Sequence, residues 1–86
     1  MNPYTDIKIG SLHIRTFGED VDSQELMWHR DEQDRQVKVI KGTDWKFQIE
    51  DKLPVRLKEG LCINIPKQEW HRLIKGQDTL VIQIIE

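Results

Sequence analysis

Apolar and polar residues alternate along most of the second half of the chain. Val37 and Val39 alternate with polar neighbours, and the same spacing recurs in residues 45–49, 53–57, 61–65 and 80–84. Because successive side chains of a strand point to opposite faces, a spacing of two predicts strands with one buried face. No stretch predicts a helix longer than a turn, and residues 25–29 are interpreted as a further strand.

The breaks between these runs carry residues that favour turns. Glycine or aspartate occurs in each of them, at residues 41–44, 50–52, 59–60 and 75–78. Short strands separated by such turns predict an antiparallel sandwich or barrel. A curled sheet that closes on itself covers its apolar face with the least chain. The sequence therefore predicts an all-β fold.

The last predicted strand is apolar on both faces. Val81 and Ile85 lie on the face opposite to the predicted core, and Ile40 adds to this second apolar set. Either a second copy of the chain covers this face, as in a homodimer, or the N-terminal segment does. Trp28 and Trp70 are predicted to face outward, where they could form an interface patch.

Composition narrows the classes of function. The 86 residues make one domain, and a net charge of −2 argues against a nucleic-acid or anionic-membrane partner. No apolar run is long enough to span a bilayer, and the first residues lack the pattern of a signal peptide. The single cysteine, Cys62, is interpreted as a small strand residue. These features together predict a reducing, cytoplasmic location.

One segment carries a recognisable spacing. Gly60 is followed after five residues by Pro66, and His71 lies five positions beyond that proline. This spacing resembles the second motif of small single-domain cupins of the RmlC-like superfamily. Two positions depart from that motif: Gln68 stands where it has a second glycine, and Lys75 stands where it has asparagine.

The first cupin motif is matched only in part. His29 occupies the position of its first histidine, and Gly42 occupies its turn. Asp31 stands where the second histidine belongs, and Arg35 stands where the glutamate belongs. The resemblance covers residues 26–86 and implies a small double-stranded β-helix, a cupin barrel of the jelly-roll type.

The resemblance also implies how the domain is organised. Residues 1–86 form a single cupin-like domain, in which 26–86 are the cupin core and 1–25 an N-terminal strand or arm.

A metal site is one expectation that the resemblance carries. Cupin sites use imidazole and carboxylate donors that converge inside the barrel, and His29, Asp31 and His71 supply such donors here. Residues two apart on a strand point the same way, so His29 and Asp31 can both face inward. This donor set suits Zn, Fe, Mn or Ni, with a position left open for water or substrate.

Arg35 favours a different use of the pocket. A guanidinium is permanently cationic and is strongly disfavoured beside a divalent ion in a low-dielectric pocket. Arg35 is expected to pair with Asp31 or Asp34 instead. The pocket would then be a structural ion pair, or an anion receptor formed by Arg35, His29 and His71.

Simpler interpretations exist for each of these residues. His71 could be a barrel histidine held by a hydrogen bond, His29 an exposed strand residue, and Asp31 part of a solvated charged run. His13 is predicted to lie on the polar side of an N-terminal strand and is discounted as a ligand. Trp45 is predicted to lie in the core.

Three classes of function remain open. The first is a non-enzymatic protein that binds a small molecule or anion through Arg35, His29 and His71, and Arg35 favours it. The second is a metal-binding cupin, dioxygenase-like or isomerase-like if it is an enzyme, that uses His29, Asp31 and His71. The third is a structural or protein-interaction domain. The resemblance does not choose among them, because one fold hosts many functions.

Overall fold

The fold consists of eight strands in a computed structural model that describes residues 5–18 and 26–86. Their bounds are β1 Thr5–Ile9, β2 Leu12–Phe17, β3 Arg35–Lys41, β4 Lys46–Ile49, β5 Val55–Arg56, β6 Cys62–Ile65, β7 His71–Ile74 and β8 Leu80–Ile85. Within the described ranges, no helix is long and apolar enough to cross a membrane.

The strands form two antiparallel sheets. The larger sheet has the order β1-β2-β8-β3-β6, and the smaller one has the order β5-β4-β7. Strands distant in sequence are neighbours in both sheets, since β2 and β3 both pair with β8 in the larger one and β4 pairs with β7 in the smaller one. The predicted all-β fold is confirmed.

The core is formed by the inward residues of the alternating runs. Trp45 is completely buried, as expected, and Val37, Val39, Ile82 and Ile84 pack in the same cluster. Full burial of one such aliphatic or aromatic side chain is worth about 1.5–3 kcal/mol. The alternation seen in the sequence is therefore the pattern of packing between the two sheets.

The strand at residues 53–57 is shorter than expected. Only Val55 and Arg56 are in β5, and Leu53 is 87% exposed, whereas Leu57 is buried. Pro54 has no N–H to donate to a ladder, and β5 pairs only with β4 at the edge of its sheet. The prediction of a half-buried strand over the whole run was wrong for this reason.

The N-terminal strand has its faces reversed relative to expectation. His13 and Arg15 are buried on the inward face of β2, and Leu12 and Ile14 face outward and are half-buried. The prediction that His13 lies on a solvated side was wrong. The two polar side chains can be buried because Asp6 of β1 accepts hydrogen bonds from both.

The segment before β3 is described only in part. The prediction of a strand at residues 25–29 was wrong for residues 26–28, which are not in a strand, and residue 25 lies outside the described residues. His29 alone pairs, in an isolated antiparallel bridge with His71 of β7. Trp28 and Trp70, one residue before each histidine, are exposed at 42% and 41%. Cys62 is an exposed residue of β6.

Candidate metal centre

His29 and His71 are held against each other by their main chains. The N–H of His29 donates to the carbonyl of His71 at 2.9 Å, and the N–H of His71 donates to the carbonyl of His29 at 2.8 Å. The ring centroids lie 4.4 Å apart in an edge-to-face arrangement. This bridge places two imidazoles from residues 42 positions apart on the same side of the small sheet.

Both imidazoles make the same kind of hydrogen bond through Nδ1. Nδ1 of His29 contacts the carbonyl oxygen of Met27 at 2.8 Å, and Nδ1 of His71 contacts that of Glu69 at 2.9 Å. A carbonyl can only accept, so Nδ1 carries the hydrogen in both rings. In the neutral tautomer, Nε2 of each ring then has the lone pair that binds a metal.

Asp31 completes a group of three donors. Its Oδ2 lies 3.2 Å from Nε2 of His71. One donor atom from each of His29, Asp31 and His71 lies within 4.8 Å of the other two, and His71 is buried while the other two are half-buried. These three residues could hold a metal ion.

The loop that precedes β7 holds the main chain of Asp31. The N–H of Gln68 donates to the carbonyl of Asp31 at 2.8 Å, and the N–H of Lys67 donates to Oδ1 of Asp34 at 2.8 Å. Gln68 has a φ of 65°, in the left-handed region that glycine adopts without strain. The backbone therefore keeps a glycine-type turn at the position where the resembling motif has glycine.

Arg35 lies beside the three donors and pairs with two carboxylates. Its Nη1 is 3.3 Å from Oδ2 of Asp31, and its Nη2 is 3.2 Å from Oε1 of Glu86. Its Nε is buried and has no hydrogen-bond partner in the described part of the chain. Of the two acids considered as partners for Arg35, the structure places Asp31 beside it, whereas Asp34 holds the loop before β7.

The charged contacts continue from Glu86 to the N-terminal hairpin. Oε1 of Glu86 also lies 3.6 Å from Nε2 of His13, whose Nδ1 donates to Asp6 at 2.9 Å. Arg15 donates to the second oxygen of Asp6 at 3.1 Å. Burial of Asp6 raises its pKa, but the hydrogen bonds from His13 and Arg15 outweigh burial and hold the pKa below its ordinary value of 3.8.

Sequence reasoning did not find this second group of charges. Asp6, Arg15 and Glu86 belong to no motif, and their partners lie on other strands. One signal was available, since His13 and Arg15 have the same spacing of two as Phe17, which is buried in the core. A shared face with Phe17 indicates that the two polar residues point inward.

The interior between the sheets is nearly filled. A cavity of about 40 Å³ remains, lined by apolar side chains except at one end, where Arg15, Arg35 and His71 contribute polar atoms. A water molecule occupies about 30 Å³ in the liquid. The cavity therefore has room for one water-sized group, much less than the barrel pocket expected for a small molecule.

The predicted site residues lie together in space. His29, Asp31 and His71 form the donor group, and Arg35 is in direct contact with Asp31. Their roles in binding a metal or an anion stay predictions.

Known sequences give no match to the chain, and known structures give many. No protein-family profile and no curated protein matches its sequence. A cupin domain from Bordetella pertussis Tohama I matches with a TM-score of 0.67 and 18% identity, covering 100% of this chain and 95% of that one. An RmlC-like cupin family protein with a double-stranded β-helix fold, from Methanocaldococcus jannaschii, matches with a TM-score of 0.69 and 15% identity, covering 100% and 81%.

A metalloprotein is also among the similar structures. Fe(II)-HppE with an alternative substrate matches with a TM-score of 0.68 and 14% identity, covering 96% of this chain and 48% of that one. The chain thus spans about half the length of that protein. At identities this low, the likeness shows a shared fold alone.

Proposed function

We propose that this chain, which has the double-stranded β-helix fold of the cupins, binds one divalent transition metal ion through His29, Asp31 and His71. The observation that carries the proposal is the orientation of the two imidazoles. Each ring donates from Nδ1 to a backbone carbonyl, which leaves Nε2 as the donor atom beside the carboxylate. Carbonyl partners of this kind orient the histidine ligands of known metal sites.

The chemistry of the donors narrows the choice of metal. Two imidazole nitrogens and one carboxylate oxygen suit Fe(II), Mn(II), Ni(II) or Zn(II), and three protein ligands leave positions open for water or a substrate. When bound, such an ion acts as a Lewis acid on an oxygen that occupies an open position. The similarity to an Fe(II) protein supports a metal in this fold. The reaction of that protein is not proposed for this chain.

The charges around the group are compatible with an ion. Arg35 alone would repel a cation, but Glu86 lies 3.2 Å from its guanidinium and offsets that charge. Asp31 and Glu86 together carry two negative charges against the one positive charge of Arg35. The group is therefore anionic before an ion enters, which favours a divalent cation.

A small-molecule pocket formed by Arg35, His29 and His71 has weaker support. The cavity of about 40 Å³ between the sheets is lined by Arg35 and His71 but not by His29, and it is far smaller than the pockets of about 300–1,000 Å³ that commonly hold organic ligands. Two guanidinium nitrogens of Arg35 already face carboxylates of the chain.

The test is metal binding by protein that has been stripped with a chelator. We expect calorimetric titration with Zn, Ni, Mn and Fe(II) to give one ion per chain for at least one metal. His29→Ala, His71→Ala and Asp31→Asn should each weaken binding about 100-fold or more, since each removes one of three ligands. Asp34→Asn is the matched control, because this acid binds a backbone N–H instead.

Two results would contradict the proposal. One is the absence of stoichiometric binding for all four metals. The other is unchanged affinity in both folded His29→Ala and folded Asp31→Asn, as judged by circular dichroism. His29 is half-buried and Asp31 lies in a loop, so these variants are a better test than the buried His71.

A further inference from the structure

The carboxylate of Glu86 lies between Arg35 and His13. Its Oε1 is 3.2 Å from Nη2 of Arg35 and 3.6 Å from Nε2 of His13. Nδ1 of His13 donates to Asp6, and 3.6 Å exceeds hydrogen-bond distance, so Arg35 is the group that holds the carboxylate. The side chains of Arg35 and Glu86 are 18% and 23% exposed. Arg35 therefore forms a receptor for one carboxylate, which the chain itself fills and which His13 borders.

The receptor is held in place from behind. Nδ1 of His13 donates to Asp6, so the position of the imidazole does not depend on Glu86. Arg35 is fixed at its other nitrogen by Asp31. Loss of the Glu86 side chain would leave Nη2 of Arg35 in position beside a space the size of a carboxylate, with the imidazole of His13 at its edge.

An open groove leads to this position from outside. It has a volume of about 460 Å³, and Arg35 and Glu86 both line it. Gln36 and Asn64 contribute neutral polar groups to its walls, and Ile85 contributes an apolar surface. Asp34 also lines the groove, and its carboxylate accepts a hydrogen bond from the N–H of Lys67. Grooves that bind small organic molecules commonly have volumes of about 300–1,000 Å³.

We propose that a small organic carboxylate binds in this groove, with its carboxylate on Arg35, by displacing the side chain of Glu86. Glu86 is then a built-in competitor that keeps the receptor filled in the absence of ligand. The inference goes beyond metal binding, because neither Arg35 nor His13 belongs to the donor group of His29, Asp31 and His71.

Charge favours a carboxylate over a phosphate. A monocarboxylate adds one negative charge to the groove, because the displaced Glu86 stays tethered beside it. A phosphate dianion would add two negative charges near Asp31, which already lies 3.3 Å from the same guanidinium, and is disfavoured more strongly.

The experiment uses chelator-treated protein, so its outcome is independent of any metal. Propionate and benzoate are titrated into wild type and Glu86→Ala, with binding followed by NMR at the Arg35 side-chain Nε–H. We expect Glu86→Ala to bind at least one of the two about tenfold more tightly than wild type, because a charge-assisted contact competes only in wild type. The affinity for inorganic phosphate should increase much less in Glu86→Ala than the affinity for the carboxylates.

Matched variants make the result specific. Glu59→Ala removes an exposed turn carboxylate and should bind as wild type does, whereas Glu86→Ala combined with Arg35→Gln should lose the gain. If Glu86→Ala does not fold, Glu86→Gln keeps the size of the side chain and should still gain affinity. Equal affinity of wild type and the folded Glu86 variant, or a gain that survives Arg35→Gln, would overturn the inference.

Discussion

Gln68 adopts a backbone conformation that glycine tolerates better than any residue with a side chain. Its φ of 65° costs about 1–2 kcal/mol for an L-residue. The turn is retained because the N–H of Gln68 holds the carbonyl of Asp31. The chain thus keeps a strained residue at the point where its backbone positions a candidate metal ligand.

Gln68→Gly is expected to stabilise the protein by up to about 1 kcal/mol. The substitution removes the strain, and the greater freedom of glycine in the unfolded chain offsets part of the gain. Urea unfolding measures the difference. Gln33→Gly is the control, because Gln33 is exposed and has no positive φ, so it should be neutral or destabilising. A less stable Gln68→Gly variant would contradict the prediction.

Arg35→Glu is expected to raise metal affinity about tenfold or more. The change removes a cation beside the donor group and supplies a fourth donor at the position where the resembling motif has glutamate. Arg35→Gln, which removes only the charge, should give a smaller gain. Calorimetry with the metal that wild type binds is the measurement, and no gain in either variant would show that Arg35 does not influence the ion.

Motif spacing found the candidate ligands, but it did not find the residues around them. His29, Asp31 and His71 were predictable because their positions follow a known pattern. Glu86 and Asp6 were not predictable, because their charged partners lie on other strands. His13 was predicted on the wrong face because its neighbours Leu12 and Ile14 are apolar and were expected to face the core. His13 is buried instead, because Asp6 accepts its hydrogen bond.

At the scale of elements, the turn between β7 and β8 is tightly packed. A Cβ at Gly76 would lie 2.2 Å from Oδ1 of Asp44 and 2.7 Å from the backbone N of Trp45. Both Asp44 oxygens accept from the N–H of Gln77 at 3.0 Å, and the indole N–H of Trp45 donates to the carbonyl of Asp78. The turn and the most buried aromatic residue are therefore one packed unit.

Gly76→Ala is expected to destabilise the protein by about 2 kcal/mol or more. The new methyl group must displace backbone atoms as well as a side chain, and overpacking of this kind is costly. Gly18→Ala is the matched control, because nothing in residues 5–18 and 26–86 lies within 4 Å of the position of its Cβ and no unfavourable φ is required. Equal thermal unfolding temperatures for both variants would contradict the prediction.

The hairpin of β1 and β2 should show a pH-dependent stability that requires Asp6. The pKa of Asp6 is lowered in the folded state, so its contribution is present above pH 3.8 and is lost as pH falls through the lower folded pKa. Asp6→Asn should therefore be less stable than wild type at pH 5, and this difference in stability should narrow as pH falls below 3.8. Urea unfolding across this range is the measurement, and Glu59→Gln should show no such gap. A gap that does not change with pH would contradict the assignment.

At the scale of the whole molecule, the outer face of the large sheet is unusually apolar. Ile7 and Ile9 of β1 are 58% and 72% exposed, and Ile85 of β8 is 40% exposed. The register sets Ile9 beside Leu12 and Leu12 beside Ile85, with Ile14 in the adjacent row. The described N-terminal residues 5–18 therefore enlarge the apolar face instead of covering it.

We expect a second copy of the chain to cover this face in a homodimer. The outward positions of β2 and β8, and Ile7 and Ile9 of β1, are uncharged, so two copies can pack without burying like charges. Ile9→Glu should give a monomer by light scattering, whereas Leu53→Glu, on an exposed loop of the other sheet, should not. A monomeric wild type at about 100 µM would contradict the prediction, since stable interfaces of standard size bind far more tightly.

The fold was more predictable than the position of each strand in it. Alternation gives the faces of a strand, and it gave those of β3, β6 and β8 correctly. It does not give the neighbours of a strand, which depend on contacts between distant residues such as those of β2 with β8. The shape of the barrel was accessible only through the resemblance of its motifs.

The short segment at residues 66–71 has a consequence for redesign. It supplies the imidazole of His71, and its main chain bonds to the main chains of His29 and Asp31. The relative positions of the three donors are thus set by peptide groups, which do not change when side chains are exchanged. We therefore expect that the side chains at positions 29, 31 and 71 can be exchanged to change which metal the donor group prefers, while the backbone around them stays the same.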